Sequence, residues 1–257
     1  MWTAIRTSLA PALAAASLLL TAPPPAAADV LSPFEAHYRV KRGSLGLGTT
    51  VFSLARDGEC YRYAGEARPN ALVSLFVGQV TDESRFCAAD GRVSPRRFEH
   101  VESGDDEDSY TLTFADGRVT YKSRAGKAHS FDAPDDALEA FVIHVAVRLW
   151  MAGAEDPAGL ANRTFTVVDE DEIKRYELAV RDGGRVETPA GTWDTLIVAR
   201  VDDPDRRLAF WVAPALDWLP IRVEHQKRDD PVIRMTLSKL PRSPAADTAD
   251  TPATSEN

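Results

Sequence analysis

The fold is decided by residues 185–240, whose sequence is RVETPAGTWDTLIVARVDDPDRRLAFWVAPALDWLPIRVEHQKRDDPVIRMTLSKL. Apolar and polar residues alternate along this stretch, so that Leu219, Ile221 and Val223 share one face of a strand and charged residues occupy the other. Alternation over such a length predicts consecutive antiparallel strands with one face in a core and one in water. Residues 208–212, LAFWV, are apolar on both faces, so we expect both of those faces to be covered.

The N-terminal half continues the same pattern in strands separated by turn signals. Residues 34–41 alternate apolar with polar side chains, and the glycine-rich run 43–48 then marks a tight turn or bulge. Asp-Gly pairs at 90–91 and 116–117 are typical of hairpins. We therefore predict a mainly β (α+β) protein: a strongly curved antiparallel sheet, or open half-barrel, of about a dozen strands.

One helix is predicted over residues 135–152, DDALEAFVIHVAVRLWMA, with Asp132 or Asp135 as its N-cap. Apolar side chains occur on nearly all of its faces, for example Val145 on one and Val147 on the other. A helix that is apolar all round must be enclosed by other elements rather than laid on a surface. We expect this helix to pack inside the hollow of the curved sheet.

The N-terminus has the pattern of a secretory signal peptide, with Arg6 before an apolar run and a small-residue cleavage site ending at Ala28. We therefore expect an exported, periplasmic protein without a transmembrane segment in the mature chain. The formal net charge is −9, and an acidic chain is repelled by nucleic acid and by anionic membrane surfaces. Nucleic acid is excluded as a partner on this ground.

The expected organisation is a signal peptide over 1–28, a single domain over 29–240 and a tail over 241–257. The tail is rich in Pro, Ala, Asp and Thr without apolar periodicity, which is typical of disorder.

The two cysteines, Cys60 and Cys87, fall in separate strand-like segments. No C-x-x-C motif supports a redox role, and export places the pair in an oxidising compartment. A structural disulfide is the favoured interpretation, with a reactive thiol as the alternative.

No pattern of catalytic or metal-binding residues stands out. The five histidines lack metal-ligand spacing, and no G-x-S-x-G or H-E-x-x-H motif occurs. Acidic runs at 105–108 and 169–172 do not match a calcium loop and are interpreted as solvated hairpin tips. We assign no catalytic residue, no metal, no cofactor and no enzyme activity.

Aromatic residues are more suggestive, because they gather in the first and the last strands. Most aromatic side chains belong to a core, but some could line an apolar cavity between the sheet and the enclosed helix. The candidate lining of such a cavity is Tyr38, Phe52, Tyr61, Tyr63, Phe141, Val145, Trp193, Phe210, Trp211 and Trp218.

Several segments together carry a family resemblance: FEAHYRV from residue 34, TPAGTW at 188–193, FW at 210–211 and LPI at 219–221. They resemble the exported bacterial family catalogued as domain of unknown function 3108, over residues 34–240. This family is similar in architecture to periplasmic lipoprotein-carrier and sensor proteins, which are open half-barrels closed over by helices. The resemblance implies an apolar groove and no catalytic residues.

Three hypotheses for function remain open at this point. The first is a non-enzymatic periplasmic protein that binds an apolar acyl or lipid ligand, a lipidated protein or an envelope partner. The second is a structural or interaction module in envelope assembly that takes no small ligand. The third, a hydrolase of envelope polymers, requires a cleft in which two titrating side chains converge.

Overall fold

The computed structural model describes residues 30–75 and 78–242, and of the side chains those up to residue 240. The predicted signal peptide and all but the first residues of the predicted tail lie outside this range. In the described part of the chain no helix is long and apolar enough to cross a membrane.

The described chain forms fifteen strands, where about a dozen were predicted. The difference comes from short strands whose alternation is too brief to register, such as β8 and the two-residue β9. The strands are β1 (Phe34–Arg42), β2 (Leu45–Asp57), β3 (Cys60–Pro69), β4 (Val80–Ala89), β5 (Arg92–Glu102), β6 (Asp105–Ala115), β7 (Arg118–Ser123), β8 (Ala128–Asp132), β9 (Leu138–Glu139), β10 (Arg163–Asp169), β11 (Glu172–Thr188), β12 (Gly191–Arg200), β13 (Arg206–Ala213), β14 (Leu219–Lys227) and β15 (Ile233–Arg242).

All fifteen strands belong to one sheet, in the order β8-β7-β6-β5-β4-β3-β2-β1-β15-β14-β13-β12-β11-β10-β9. Every neighbouring pair is antiparallel except β9 and β10, which are parallel. The order consists of two runs of consecutive hairpins joined where β1 pairs with β15. The sheet is curved but not closed, because β8 and β9 stand at its two ends. The predicted fold class is confirmed.

The only α-helix in the described residues, α1, spans Ile143–Ala152 and so forms only the second half of the predicted helix. Before it the chain makes turns and strand β9, which pairs with the end of β10. The Glu139 carboxylate accepts the backbone N–H groups of Phe141 (2.6 Å) and Val142 (2.9 Å). These contacts replace helical hydrogen bonds, so the N-cap is Val142 and not Asp132 or Asp135.

Helix α1 is enclosed on every side, as predicted. Its ten residues include the β-branched Ile143, Val145 and Val147, which are weak helix formers, so packing rather than intrinsic propensity stabilises it. These side chains join the main core, to which β1–β5 and β10–β15 contribute. A second, smaller core lies under the wing formed by β6–β8 and consists of Phe98, Leu112, Val119, Ala137 and Val168.

Strand β13 is covered on both faces, as its sequence predicts. Phe210 points to α1 and is fully buried, with its ring 5.3 Å from that of His144. Trp211, on the opposite face, is 8 % exposed, and the Arg222 guanidinium lies 5.5 Å from its ring centroid.

The structure contains the predicted disulfide between Cys60 and Cys87. The two residues stand opposite each other at the ends of β3 and β4, next to the paired Tyr61 and Phe86. Such direct cross-strand placement brings two Cα atoms within reach of a disulfide, and here they are 4.3 Å apart.

Candidate functional site

The interior of the curved sheet is filled. Between α1 and the strands lies a cavity of only about 10 Å³, room for about one water molecule. Tyr38, Phe52, Tyr63 and Val145 of the predicted lining border it. At this place the aromatic rings pack against α1 and leave space for about one water molecule, so these four residues do not surround a ligand-sized cavity.

The other predicted lining residues lie elsewhere in the core. Phe141 stacks on Tyr63 with ring centroids 4.6 Å apart, and Tyr61 stacks on Phe86 at 5.5 Å. Phe210 and Trp211 are on opposite faces of β13, as described above. Trp193 and Trp218 are partly buried at the margin of the main core. The sequence thus identified core residues correctly but could not distinguish a packed core from a lined cavity.

Two polar side chains of α1 point into this apolar interior. The Nδ1 atom of His144 lies 3.3 Å from the Tyr63 hydroxyl, within a ring of aromatic side chains. Burial lowers the pKa of His144 to about 4, so its imidazole is neutral at physiological pH. One turn further on, Arg148 donates from Nε to the Asp217 carbonyl oxygen (3.1 Å) and lies 4.8 Å from the Phe34 ring centroid.

A buried carboxyl stands at the entrance to α1. Glu139 is completely buried, and burial raises its pKa to about 7. The nearby Ser84 hydroxyl and the backbone N–H groups of Phe141 and Val142 lower the pKa of Glu139 and so oppose the effect of burial. The negative charge of Asp82 raises this pKa further. The Ser84 hydroxyl is also completely buried and does not meet hydrogen-bond geometry with Glu139. Neither group is reached by solvent, so both contribute to stability rather than to surface chemistry.

A histidine–carboxylate pair lies on β4 and β5. Asp82 is paired in register with His100, and the His100 Nδ1 is 2.7 Å from the Asp82 carboxylate. This hydrogen bond raises the pKa of His100. The pair begins a row of rings, each 5.1–5.3 Å from the next, that crosses the wing through Tyr110, Tyr121 and His129. Cross-strand stacking of this kind stabilises an otherwise thin sheet.

A larger cleft lies at the joint where the sheet fails to close, which we call the seam cleft. Strand β5 pairs with β6 only from Arg97 onward, and β10 pairs with β9 only at Val167 and Val168. Residues 92–96 and 163–166 therefore have no strand partner on their facing sides within the described sheet. The seam cleft between them has a volume of about 430 Å³, in the range typical of small-molecule sites.

The floor of the seam cleft is apolar and its rim is charged. Val93, Leu138, Ala146 and Phe165 form the floor, and all four are buried. Because Ala146 belongs to α1, the cleft rests directly on the enclosed helix. The rim carries two arginines and two aspartates, Arg92, Arg163, Asp135 and Asp136, with Ser94 and Thr164 between them.

The arginines of the rim form no ion pair with any acidic residue that the structure describes. Within the part that the structure describes, neither the Arg92 nor the Arg163 guanidinium has a carboxylate oxygen within 4.0 Å. Arg163 instead lies over the Phe165 ring at 4.8 Å. Burial and the like charge of Arg92 lower the pKa of Arg163, and Asp136 only partly opposes this. Two positive charges thus face one cleft without a counter-ion in contact.

A third cleft, of about 540 Å³, lies beside the β10–β11 hairpin, and its cations are paired. Lys174 binds Asp169 (2.7 Å) and Glu172 (3.2 Å), and Arg200 binds Asp202 (2.6 Å). The acidic run at 169–172 forms the tip of this hairpin, and the run at 105–108 follows the β5–β6 turn, so both lie at hairpin ends as predicted. Paired charges leave this cleft less able to bind an ion than the seam cleft.

The geometry defines a class of protein: a large curved β-sheet filled by its own helix, with a charged cleft at its open joint. The family model described as "Protein of unknown function (DUF3108)" matches residues 34–238, and the chain belongs to this family. A crystal structure from Brucella abortus, described as a beta-barrel-like protein of domain of unknown function DUF1849, has a TM-score of 0.46 and 15 % identity, covering 81 % of this chain and 97 % of that chain. No curated protein matches the sequence.

Sequence reasoning missed Arg92, Arg163, the Asp82–His100 pair and Glu139. The first two lie on strands far apart in the chain and meet only because the sheet curves. Asp82 and His100 had a local signal, since the Asp-Gly turn at 90–91 sets the register of β4 against β5. Glu139 was hidden inside a segment with helical periodicity.

Proposed function

We propose that this protein is a non-enzymatic binding protein of the cell envelope, and that it takes its ligand in the seam cleft rather than in the interior. The observation that carries the proposal is the contrast in volume: about 430 Å³ at the seam and about 10 Å³ beside α1. An acyl chain has no room inside the sheet while α1 fills it. The apolar part of a ligand is thus limited to the floor of the seam cleft.

Two features support a place in the envelope. The first 28 residues have the composition of a cleavable export signal. The disulfide between Cys60 and Cys87 is of the kind that persists in an oxidising compartment and is rare in the cytosol.

A binding role without catalysis is supported by where the titrating groups lie. The His144 imidazole, the Glu139 carboxyl and the Ser84 hydroxyl are enclosed in the core, away from any substrate. The rim of the seam cleft offers arginines and aspartates but no histidine or cysteine. Such a rim recognises charge more readily than it transfers protons at neutral pH.

The test is mass spectrometry under native conditions on the protein isolated from the envelope of its own host. The Thr164→Trp variant places a bulky side chain at the rim of the seam cleft, and Thr113→Trp places the same side chain at an exposed strand position of β6 outside it. We expect a bound small molecule, recovered chemically unchanged, with the wild type and Thr113→Trp and not with Thr164→Trp. Retention by Thr164→Trp, or recovery of a cleaved product, would overturn the proposal.

A second candidate, an interaction module of envelope assembly, is favoured by strand β8. Four of its five residues are exposed, and its outer edge has no strand partner in the described sheet. Free edges of this kind accept a strand of another protein. A photoreactive residue at Ala128 would then crosslink to one envelope protein in intact cells, whereas the same residue at Thr113 would not. Equal crosslinking at both positions would argue against this candidate.

A further inference from the structure

We propose that Arg92 and Arg163 clamp the anionic group, a phosphate or a carboxylate, of a small amphiphilic ligand whose apolar part lies on the floor of the seam cleft. This inference rests on the proposed function, because it names the ligand class of the same cleft. It concerns the arginines alone and can fail while the seam remains the place of binding.

The placement of the two arginines favours a shared ligand. The two arginines begin β5 and β10, which approach each other only where the sheet is open. They stand on opposite sides of one cleft, so a ligand between them contacts both. Guanidinium groups bind phosphate and carboxylate through paired N–H donors, and two of them on one anion give strong and directional binding.

The charges of the two arginines also favour an anionic ligand. Two like charges that share a cleft repel each other, and the effect of Arg92 on the pKa of Arg163 shows that they are close enough to do so. Other arginines are paired with acids, as Arg118 is with Asp132 (2.6 Å) and Arg200 with Asp202 (2.6 Å). In the described residues the Arg92 side chain makes no hydrogen bond or ion pair, so an incoming anion displaces no internal partner there.

The remaining residues of the seam cleft suit an amphiphilic ligand. Ser94 and Thr164 bring hydroxyl groups to the rim, which can donate to the same anion. The floor supplies Phe165, Leu138 and Ala146, an apolar surface for a short hydrocarbon or ring. Asp135 and Asp136 stand on the same rim and repel an anion, so their charges weaken the binding.

The experiment is isothermal titration calorimetry on the oxidised protein with hexyl phosphate as the probe. Hexanoate supplies a carboxylate on a similar tail, inorganic phosphate supplies the anion alone, and hexyltrimethylammonium supplies the tail with a positive head. We expect saturable binding of hexyl phosphate or hexanoate, weaker binding of inorganic phosphate and none of the cation. Equal binding of the cation would show that the tail alone is recognised and would overturn the clamp.

Variants then assign the binding to the two arginines. A charged hydrogen bond of this kind corresponds to a loss of about tenfold or more in affinity, and we expect this for both Arg92→Gln and Arg163→Gln. The Arg92 side chain is exposed and has no hydrogen bond to any described residue, so Arg92→Gln should leave the fold intact even if Arg163→Gln loosens the packing on Phe165. The matched control is Arg39→Gln, an exposed arginine of β1, which should bind as the wild type does. Asp135→Asn with Asp136→Asn should tighten binding several-fold.

The outcomes separate the two proposals. If both arginine variants bind hexyl phosphate like the wild type while Thr164→Trp abolishes binding, the clamp is wrong and the seam cleft remains the binding site. If Thr164→Trp binds it unchanged, the probe is elsewhere and the clamp is wrong as well.

The source of the anion is distinguished by a second arm. Vesicles of phosphatidylcholine with and without phosphatidic acid are sedimented with the protein. Cosedimentation that requires phosphatidic acid and Arg92 identifies a lipid headgroup, whereas binding of hexyl phosphate without cosedimentation identifies a soluble anion.

Discussion

The interior around α1 and the seam cleft both place polar groups against apolar side chains, but the titrating groups of the two regions behave differently. In the interior, burial shifts the pKa of His144 downward and that of Glu139 upward, so each group is moved toward its neutral form. At the seam, Arg92 is exposed to solvent, and Arg163 stays protonated although burial lowers its pKa, because the pKa of a guanidinium lies far above neutrality. An apolar interior disfavours charge, and a partly solvated cleft tolerates it.

This difference indicates that the interior around α1 stabilises the fold and that the seam cleft binds the ligand. Interior groups meet only the protein, so changing them should alter the free energy of unfolding. Seam groups meet the solvent and have few internal contacts, so changing them should alter ligand binding and leave stability nearly unchanged. The predictions below test this division, beginning with the largest effect.

The largest effect is expected from a cavity in the interior. Phe210 of β13 is fully buried against α1, and Phe210→Ala should lower the free energy of unfolding by about 3–5 kcal/mol. Urea denaturation followed by circular dichroism measures it. Leu72→Ala is the control: Leu72 is 64 % exposed, and its loss should change stability by no more than about 0.5 kcal/mol. Equal effects of the two variants would mean that the interior is not packed.

Glu139 should make stability fall as pH rises. Its pKa is raised from 4.5 to about 7 in the folded protein. Its stabilising contribution is therefore fully present below pH 4.5 and is lost as pH increases through 7. The glutamine of Glu139→Gln does not titrate, so this variant lacks the pH-dependent loss. Between pH 5 and pH 8 its free energy of unfolding should therefore rise by on the order of 2 kcal/mol relative to that of the wild type.

Denaturation curves at the two pH values provide the measurement for Glu139. Glu187→Gln, at an exposed position of β11, is the matched control and should show no such gain. If the free energies of unfolding of Glu139→Gln and of the wild type changed equally between the two pH values, the Glu139 carboxyl would be solvated and the prediction would be wrong.

The histidines should titrate far apart. Burial lowers the pKa of His144 to about 4, whereas the hydrogen bond to Asp82 raises that of His100 above 6.5. The stability that neutral His144 contributes is present above pH 6.5 and is lost as pH falls toward 4. NMR titration of the two imidazole rings measures both midpoints. A His144 midpoint near that of a free histidine would place it in water.

The smallest effect is expected at the seam. Arg92→Gln removes a charge that has no hydrogen bond or ion pair among the described residues, so the free energy of unfolding should stay within about 0.5 kcal/mol of the wild type. The same denaturation assay measures this. A large decrease in the free energy of unfolding would show that Arg92 stabilises the fold. It would contradict the assignment of the interior to stability and of the seam cleft to binding.

The sequence predicts much of the fold because its signals are local. Alternation in residues 219–223 predicts a strand, the apolar faces of residues 143–151 predict an enclosed helix, and the strand context of Cys60 and Cys87 favours their pairing. The prediction of a helix over residues 135–142 was wrong. Pairing of β9 with β10 and the hydrogen bonds to the Glu139 carboxylate outweigh helical periodicity there. Local patterns carry no information about such contacts.

The candidate site was not predictable in the same way. Aromatic composition suggested a cavity, but whether rings enclose space or fill it depends on side-chain packing. The encounter of Arg92 with Arg163 depends on how far the sheet curves before it ends. Neither quantity has a periodic signature in the chain.

The central claim is that α1 permanently fills the interior of the sheet, and native-state amide hydrogen exchange tests it most directly. If the claim is right, amides of α1 exchange only through global unfolding, with the same opening free energy as amides of β1 and β14. Exchange of α1 at an opening free energy several kcal/mol lower, while β1 and β14 stay protected, would contradict it by showing that the helix leaves the sheet and opens the interior to a ligand.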